Sequence, residues 1–185
     1  MKITLLFTPF VHFSTINKII YCICLLLMML LGCKNEPNGS EIVISPDMVK
    51  EPMINANKAR VTAEAKVIDE FIKRRNWEMN VTGTGLRYFI YQQGSGNLVS
   101  DGKTAVIHYE VSLLNGKLCY SSRELGIKGF TVGKGEIEKG IDEGVLLMRI
   151  GDKARFILPS HLGLGLMGDG KKIPSNSVLL YDVEL

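Results

Sequence analysis

The sequence is short of cysteine beyond its N-terminal fifth, of histidine and of net charge, and each shortage excludes something. Its four cysteines among 185 residues are Cys22, Cys24, Cys33 and Cys119, and only Cys119 lies beyond the N-terminal fifth of the chain. One cysteine in the body of the chain cannot build an intrachain disulfide framework, so the fold has to rest on its core. The three histidines, His12, His108 and His161, show no ligand-like spacing to one another or to Cys119, so no metal site is expected. Charge is nearly balanced, with 22 basic against 19 acidic residues. Basic residues are scattered apart from Lys73-Arg74-Arg75, which falls at the end of a predicted helix where cations complement the helix dipole. Nucleic acid is therefore not an expected partner.

Long apolar runs are scarce too. The one present, Ile19 to Leu31, follows Lys2 and Lys18 and is too short to span a bilayer as a permanent helix. It reads as a targeting segment, with a cysteine-containing anchor helix as the rival. Leu30-Leu31-Gly32-Cys33 resembles a bacterial lipobox, in which the small Gly32 suits the signal peptidase and the Cys33 thiol receives the lipid. The expectation is a lipoprotein signal peptide over residues 1–32, lipidation of Cys33 and attachment to a membrane through that lipid.

From Lys34 to about Asn55 the chain carries Pro37, Gly39, Pro46 and Pro52 with little periodicity, which predicts a flexible tether over 33–54. Val61, Ala65, Ile68 and Ile72 then recur at helical spacing, with Val67 and Phe71 beside them, and predict an amphipathic helix through Trp77 within an extension over 55–85. Its apolar face has two readings: packing on its own domain, or self-association of the 61–77 helix.

After Gly83 and Gly85 the composition turns to β-branched and aromatic residues with glycine-rich breaks. Strands are expected at Leu86–Gln92, Thr104–Leu114, Lys117–Tyr120, Phe130–Val132, Lys153–Leu158 and Ser177–Leu185. Asn115-Gly116 reads as a two-residue hairpin turn with both residues at positive φ. Ile137, Ile141, Val145 and Met148 follow helical spacing and predict a short helix. The fold class is thus α+β, a bent antiparallel sheet wrapped around one short helix, with a β-sandwich as the rival.

Two suggestive strings fail on context. Gly163-Leu164-Gly165-Leu166-Met167-Gly168 matches the dinucleotide fingerprint, yet Asp169-Gly170-Lys171-Lys172-Ile173-Pro174 cannot form the helix that would receive a pyrophosphate, so no cofactor is expected. Ser160 beside His161 lacks the nucleophile elbow of a hydrolase.

A denser pattern remains. Gly140 and Gly144, Met148-Arg149-Ile150-Gly151-Asp152-Lys153-Ala154-Arg155-Phe156, Leu158-Pro159-Ser160, Gly165, Gly168 and Ile173-Pro174 together resemble the FKBP class of peptidyl-prolyl isomerases, over residues 86–185. The string Tyr120-Ser121-Ser122-Arg123-Glu124-Leu125-Gly126 is further similar to the gliding-motility-associated FKBP-like lipoproteins. The resemblance implies isomerisation of X-Pro bonds, with proline-containing envelope proteins as partners and a cell-envelope location, at the outer membrane facing the periplasm. Such chemistry needs no acid, base or covalent catalyst. A barrier of about 18–20 kcal/mol comes from amide resonance, and a dry apolar pocket favours the twisted amide that has lost it.

Carried over residue by residue, the resemblance places Tyr109 and Tyr181 on pocket walls and Ile137 with Glu138 on the loop that meets the peptide backbone. Glu136 precedes them, Ile141 is the pocket floor, and Ile173 lies on the flap loop. The loop between Arg123 and Phe130 is one residue short, so a further aromatic is either missing or replaced by Phe130 itself. Two departures stand out: Cys119-Tyr120 replaces a phenylalanine-aspartate pair, removing an aromatic wall and a carboxylate, and Leu164 replaces a tyrosine, removing a hydroxyl donor. Losing such a donor weakens a bound state by roughly 1 kcal/mol.

Overall fold

The computed structural model describes residues 46–185 together with Ile20, so the expected signal peptide and Cys33 otherwise lie outside the described residues. Among the described residues no helix is long and apolar enough to cross a membrane.

Helix α1 runs over Pro46–Arg74, beginning on a residue that has no N–H to satisfy and a φ already suited to a helix. This corrects the expected tether over 46–54, which is helical with Pro52 inside the helix; the rest of that tether, 33–45, lies outside the described residues. An internal proline removes one hydrogen bond and crowds the preceding turn. Here it falls where residues 50–59 are all exposed, so water can take the freed carbonyl. The helix ends before the expected Trp77: Asn76 turns to φ 52° and the Trp77 N–H returns to the Ile72 carbonyl at 3.3 Å, a left-handed closure.

Only the last turns of α1 pack. Ile68 and Phe71 are buried with Ile157, and Ile72, Trp77, Met79, Leu114, Val178 and Leu180 close around them. Trp77 meets the Phe71 ring edge-on at 5.8 Å, and the Arg155 guanidinium lies 4.6 Å from the Trp77 ring centre. Three polar contacts secure the helix: Arg60 to Asn176 at 2.7 Å, the Ser160 N–H to Glu64 at 2.9 Å, and Arg87 to Asp69 at 2.9 Å. The expected apolar face therefore rests on this chain's own sheet, while Val67 stays 52% exposed.

Seven strands form a single antiparallel sheet among the described residues: β1 Asn80–Val81, β2 Arg87–Gln92, β3 Thr104–Leu113, β4 Leu118–Ser121, β5 Lys128–Thr131, β6 Lys153–Leu158 and β7 Leu179–Glu184. Their order is β1-β2-β6-β7-β3-β4, with β5 also on β3. One sheet excludes the β-sandwich. Strand alternation sends Ala105, Ile107 and Val111 of β3, Ala154, Phe156 and Leu158 of β6, and Leu179, Tyr181 and Val183 of β7 into one core. Ile157 and Leu180 point to the other face, beneath α1.

The β3–β4 turn differs from the expected form. Gly116 takes φ 86° but Asn115 does not reach positive φ. The Gly116 N–H bonds to the Leu113 carbonyl at 2.9 Å and the Leu113 N–H to the Lys117 carbonyl at 3.0 Å. This is a three-residue loop ending in a left-handed glycine, and the extra residue fits the register shift between Val111 and Ser112.

Helix α3, Lys139–Val145, covers the inner face and buries Gly140, Ile141, Gly144 and Val145; the shorter helix α2, Ser122–Leu125, precedes β5. The two glycines are what let α3 come so close. A Cβ on Gly144 would lie 2.7 Å from the Phe156 ring, and one on Gly140 would lie 2.5 Å from Leu158 Cγ. Gly144→Ala is expected to cost about 1–3 kcal/mol through overpacking. Gly83→Ala, with nothing near its Cβ, should shift stability by no more than about 1 kcal/mol. Urea unfolding followed by the fluorescence of Trp77, the chain's one tryptophan, measures both.

Candidate functional site

The strand opposite β3 is broken where the site lies. Glu110 pairs with Ser121 of β4 and Ile107 pairs with Lys128 of β5, so His108 and Tyr109 face the whole stretch 122–127. The surplus residues loop outward through α2. Ser121 caps that helix by accepting the Arg123 N–H at 3.2 Å, and Gly126 ends it at φ 84°. The Tyr109 N–H, facing the gap, is taken by the Ser122 hydroxyl at 3.1 Å. With its neighbour strand interrupted, the inner face of β3 around Tyr109 is left partly uncovered.

A cavity of about 120 Å³ occupies that place, lined by Ile107, Tyr109 and Val111 of β3, Tyr120 of β4, Lys128 of β5, Ile137 and Glu138 before α3, and Tyr181 of β7. It shares Lys128, Ile137 and Glu138 with an open groove of about 560 Å³, whose other walls include Glu136, Lys139, His161, Gly163, Leu164 and Gly165. The loop carrying Ile137 is pinned on both sides. Glu136 accepts the Thr131 N–H at 2.8 Å, and Asp142 accepts the Gly133 N–H at 2.8 Å. Among the described residues no protein group takes the Ile137 or Glu138 N–H, although the Glu138 carbonyl accepts from Ile141 and Asp142. Those two N–H groups are available to a bound peptide.

Burial pushes the Tyr181 hydroxyl far above its ordinary range, and the charge of Glu138 and a hydrogen bond to it push the same way. Tyr181 therefore stays protonated as a donor. Tyr120 donates to Asp169 on the flap loop, and Asp169 also accepts the Lys171 and Ile173 N–H groups, each at 2.8 Å. Cys119, beside Tyr120, is buried with its thiol 3.6 Å from the Lys172 carbonyl, and burial raises its pKa. Two adjacent strand residues thus both fasten the flap.

Of the residues expected at the site, Tyr109, Ile137, Glu138 and Tyr181 line the cavity, and Glu136 and Leu164 line the groove beside it. Three do not. Ile141, Phe130 and Ile173 are packed into the core, because α3 lies close on the sheet and Phe130 sits inward on β5. Lys128, and not Phe130, is the β5 residue that lines the cavity. The expected loss of an aromatic wall at Cys119-Tyr120 is also corrected: the Tyr120 ring lines the cavity and its hydroxyl meets a carboxylate supplied from the flap. Ile107 and Val111 were missed, though strand alternation about Tyr109 points to both. Lys128 had no sequence signal, since its position depends on the break between β4 and β5.

A second concavity, about 420 Å³, includes His108, Glu110, Lys153, Asp182 and Glu184. Lys153 pairs with Glu184 at 3.0 Å, and Arg155 with Asp182 at 2.9 Å, across neighbouring strands. It is the charged, solvated outer face of the sheet, unsuited to an apolar ring.

The hydrogen bond from Tyr120, followed by those from Ile173 and Lys171, holds the Asp169 carboxyl down at about 2 against an ordinary 3.8. A depressed carboxylate stabilises the folded flap above its ordinary pKa and loses that contribution as pH falls through the folded value. The flap contact should hold at neutral pH and fail between about pH 4 and pH 2. Carbon NMR titration of Asp169 should show a pKa near 2, moving toward 3.8 in Tyr120→Phe. An unmoved Asp169 would mean that the tyrosine does not hold the flap.

The chain matches the family model for FKBP-type peptidyl-prolyl cis-trans isomerase over residues 96–185. It is 47% identical over 85 residues to FK506-binding protein 2 of Dictyostelium discoideum, covering 45% of this chain and 64% of that protein. It is 32% identical over 147 residues to a probable FKBP-type peptidyl-prolyl cis-trans isomerase of Haemophilus influenzae, covering 75% and 60%. The chain thus spans a little under two thirds of each of these relatives. The crystal structure of AtFKBP13 superposes with a TM-score of 0.56 at 35% identity, covering 58% of this chain and 96% of that one. With that near-complete cover of a solved relative, and with the single bent sheet, the covering helix and the motif-bearing segments in place, the chain belongs to the FKBP-type peptidyl-prolyl cis-trans isomerase family.

Proposed function

We propose that this protein is a lipid-anchored peptidyl-prolyl cis-trans isomerase that assists the folding of proline-containing proteins of the cell envelope. The observation that carries the activity is the cavity of about 120 Å³ walled by Tyr109, Tyr120, Tyr181, Ile107, Val111 and Ile137, with Lys128 and Glu138 completing its lining. An apolar cavity of about 150 Å³ accepts benzene, so this one suits a five-membered proline ring. A planar amide is stabilised by charge separation that water supports and an apolar wall does not. Enclosing the proline lowers the energy of the twisted amide relative to the planar one. The Ile137 and Glu138 N–H groups hold the peptide by its carbonyls while the bond turns. The walls supply apolar surface, and no proton transfer is required of them.

The envelope location and the attachment of Cys33 rest on the sequence Leu30-Leu31-Gly32-Cys33. The likeness to gliding-motility lipoproteins rests on the string from Tyr120 to Gly126. Lys34 after the lipidated cysteine favours the outer membrane. A second reading is a protein-binding module of low turnover, favoured by Leu164 standing in the groove where a tyrosine hydroxyl would donate.

Proline-limited refolding of a test protein decides between the two readings. Uncatalysed isomerisation takes tens of seconds; the wild-type chain should shorten that phase at micromolar concentration, and Tyr109→Ala should reduce the acceleration about tenfold or more, for roughly 1.4 kcal/mol or more of lost transition-state stabilisation. Binding of a proline peptide without acceleration would select the module. In cells fed labelled palmitate, the wild-type chain should take up label and Cys33→Ser should not.

A further inference from the structure

Lys128 lines both the cavity and the groove, so it stands at their junction together with Ile137 and Glu138. Consecutive Cα atoms are about 3.8 Å apart, so a peptide whose proline fills the cavity sets its neighbouring residue at this junction. The carboxylates there already have donors: Glu136 takes the Thr131 N–H, and Glu138 faces the buried, protonated Tyr181 hydroxyl. The ammonium groups are not so engaged. Among the described residues, none of the ion pairs includes Lys128 or Lys139, and both side chains are exposed.

An incoming carboxylate would therefore meet two solvated ammonium groups that no ion pair occupies, whereas an incoming cation would have to share carboxylates that already accept hydrogen bonds within the protein. We propose that Lys128 is a specificity-determining residue, which selects proline segments carrying an acidic residue beside the proline. This rests on the reading of the cavity as a proline site. Lys139, at the groove's wall, extends the same preference to the next residue along.

The test uses the full-length chain in mild detergent and one peptide framework with Glu, Leu or Lys on either side of the proline. Binding is read by fluorescence anisotropy and turnover by exchange NMR. At low salt, the Glu peptide should exceed the Lys peptide about fivefold in affinity and in kcat/KM, a ratio that shrinks as salt rises. Lys128→Ala should bring the ratio near one, and Lys128→Glu should invert it; each protein's own ratio is compared, so a general loss of activity does not affect the reading. A ratio unchanged in Lys128→Glu overturns the proposal, as does a wild-type preference for Lys. Charge-ranked binding without turnover would retain it and sink the isomerase reading. Turnover indifferent to charge would do the reverse.

Discussion

The interruption of the strand beside β3 is the constraint on which the site depends. Had 118–131 run as one uninterrupted strand, its side chains would cover the inner face of β3 and Tyr109 would be a core residue. Looping 122–127 outward removes that cover at His108 and Tyr109. The Tyr109 N–H exposed by the break is taken by Ser122, and Ser121 starts the helix that carries the surplus chain away. The cavity is a gap in the core that backbone geometry keeps open. Such a gap persists only if its rim is held, and polar contacts hold it: Glu136 to Thr131, Asp142 to Gly133, and Tyr120 to Asp169.

Helix α3 sets the other boundary. Gly140 and Gly144 bring it within side-chain contact of Leu158 and Phe156, so Ile141 is fully buried rather than facing the cavity. Depth is thereby fixed by backbone packing, while the walls at Tyr109, Tyr120 and Tyr181 fix the width. The division explains why a tyrosine at position 120 is compatible with the fold. Its ring lines the cavity, and its hydroxyl reaches Asp169 on the flap, so one side chain is both wall and fastening.

Much of this was legible in the residues because local patterns and tertiary need agree. The β-rich run from Thr104, the helical spacing of Ile137, Ile141 and Val145, and the Lys153–Leu158 run each pointed to what they form. Misreadings arose where one local signal was outweighed, by helix continuity at Pro52 and by distant contacts elsewhere. Pro52 argued for an extended tether, yet the helix continues through it. Asn115-Gly116 suggested a two-residue turn, but a bulge in the strand pairing moved positive φ to Gly116 alone. Phe130 and Ile141 have the chemistry of pocket residues, and only the register of β5 and the depth of α3 assign them to the core. Lys128 could not be found by pattern, because a charged residue at a strand start ordinarily faces solvent.

The proposed isomerisation requires that proline be enclosed and rotated among Ile107, Val111 and Ile137. Methyl NMR of the protein with a proline tetrapeptide, recorded alongside exchange spectra of the peptide, tests it most directly. Cis–trans exchange within a second is expected, where the free peptide needs tens of seconds or longer, with methyl shifts concentrated at Ile107, Val111 and Ile137 and Ile141 less affected. Peptide shifts at the outer sheet face around His108 and Asp182, with no exchange, would contradict it.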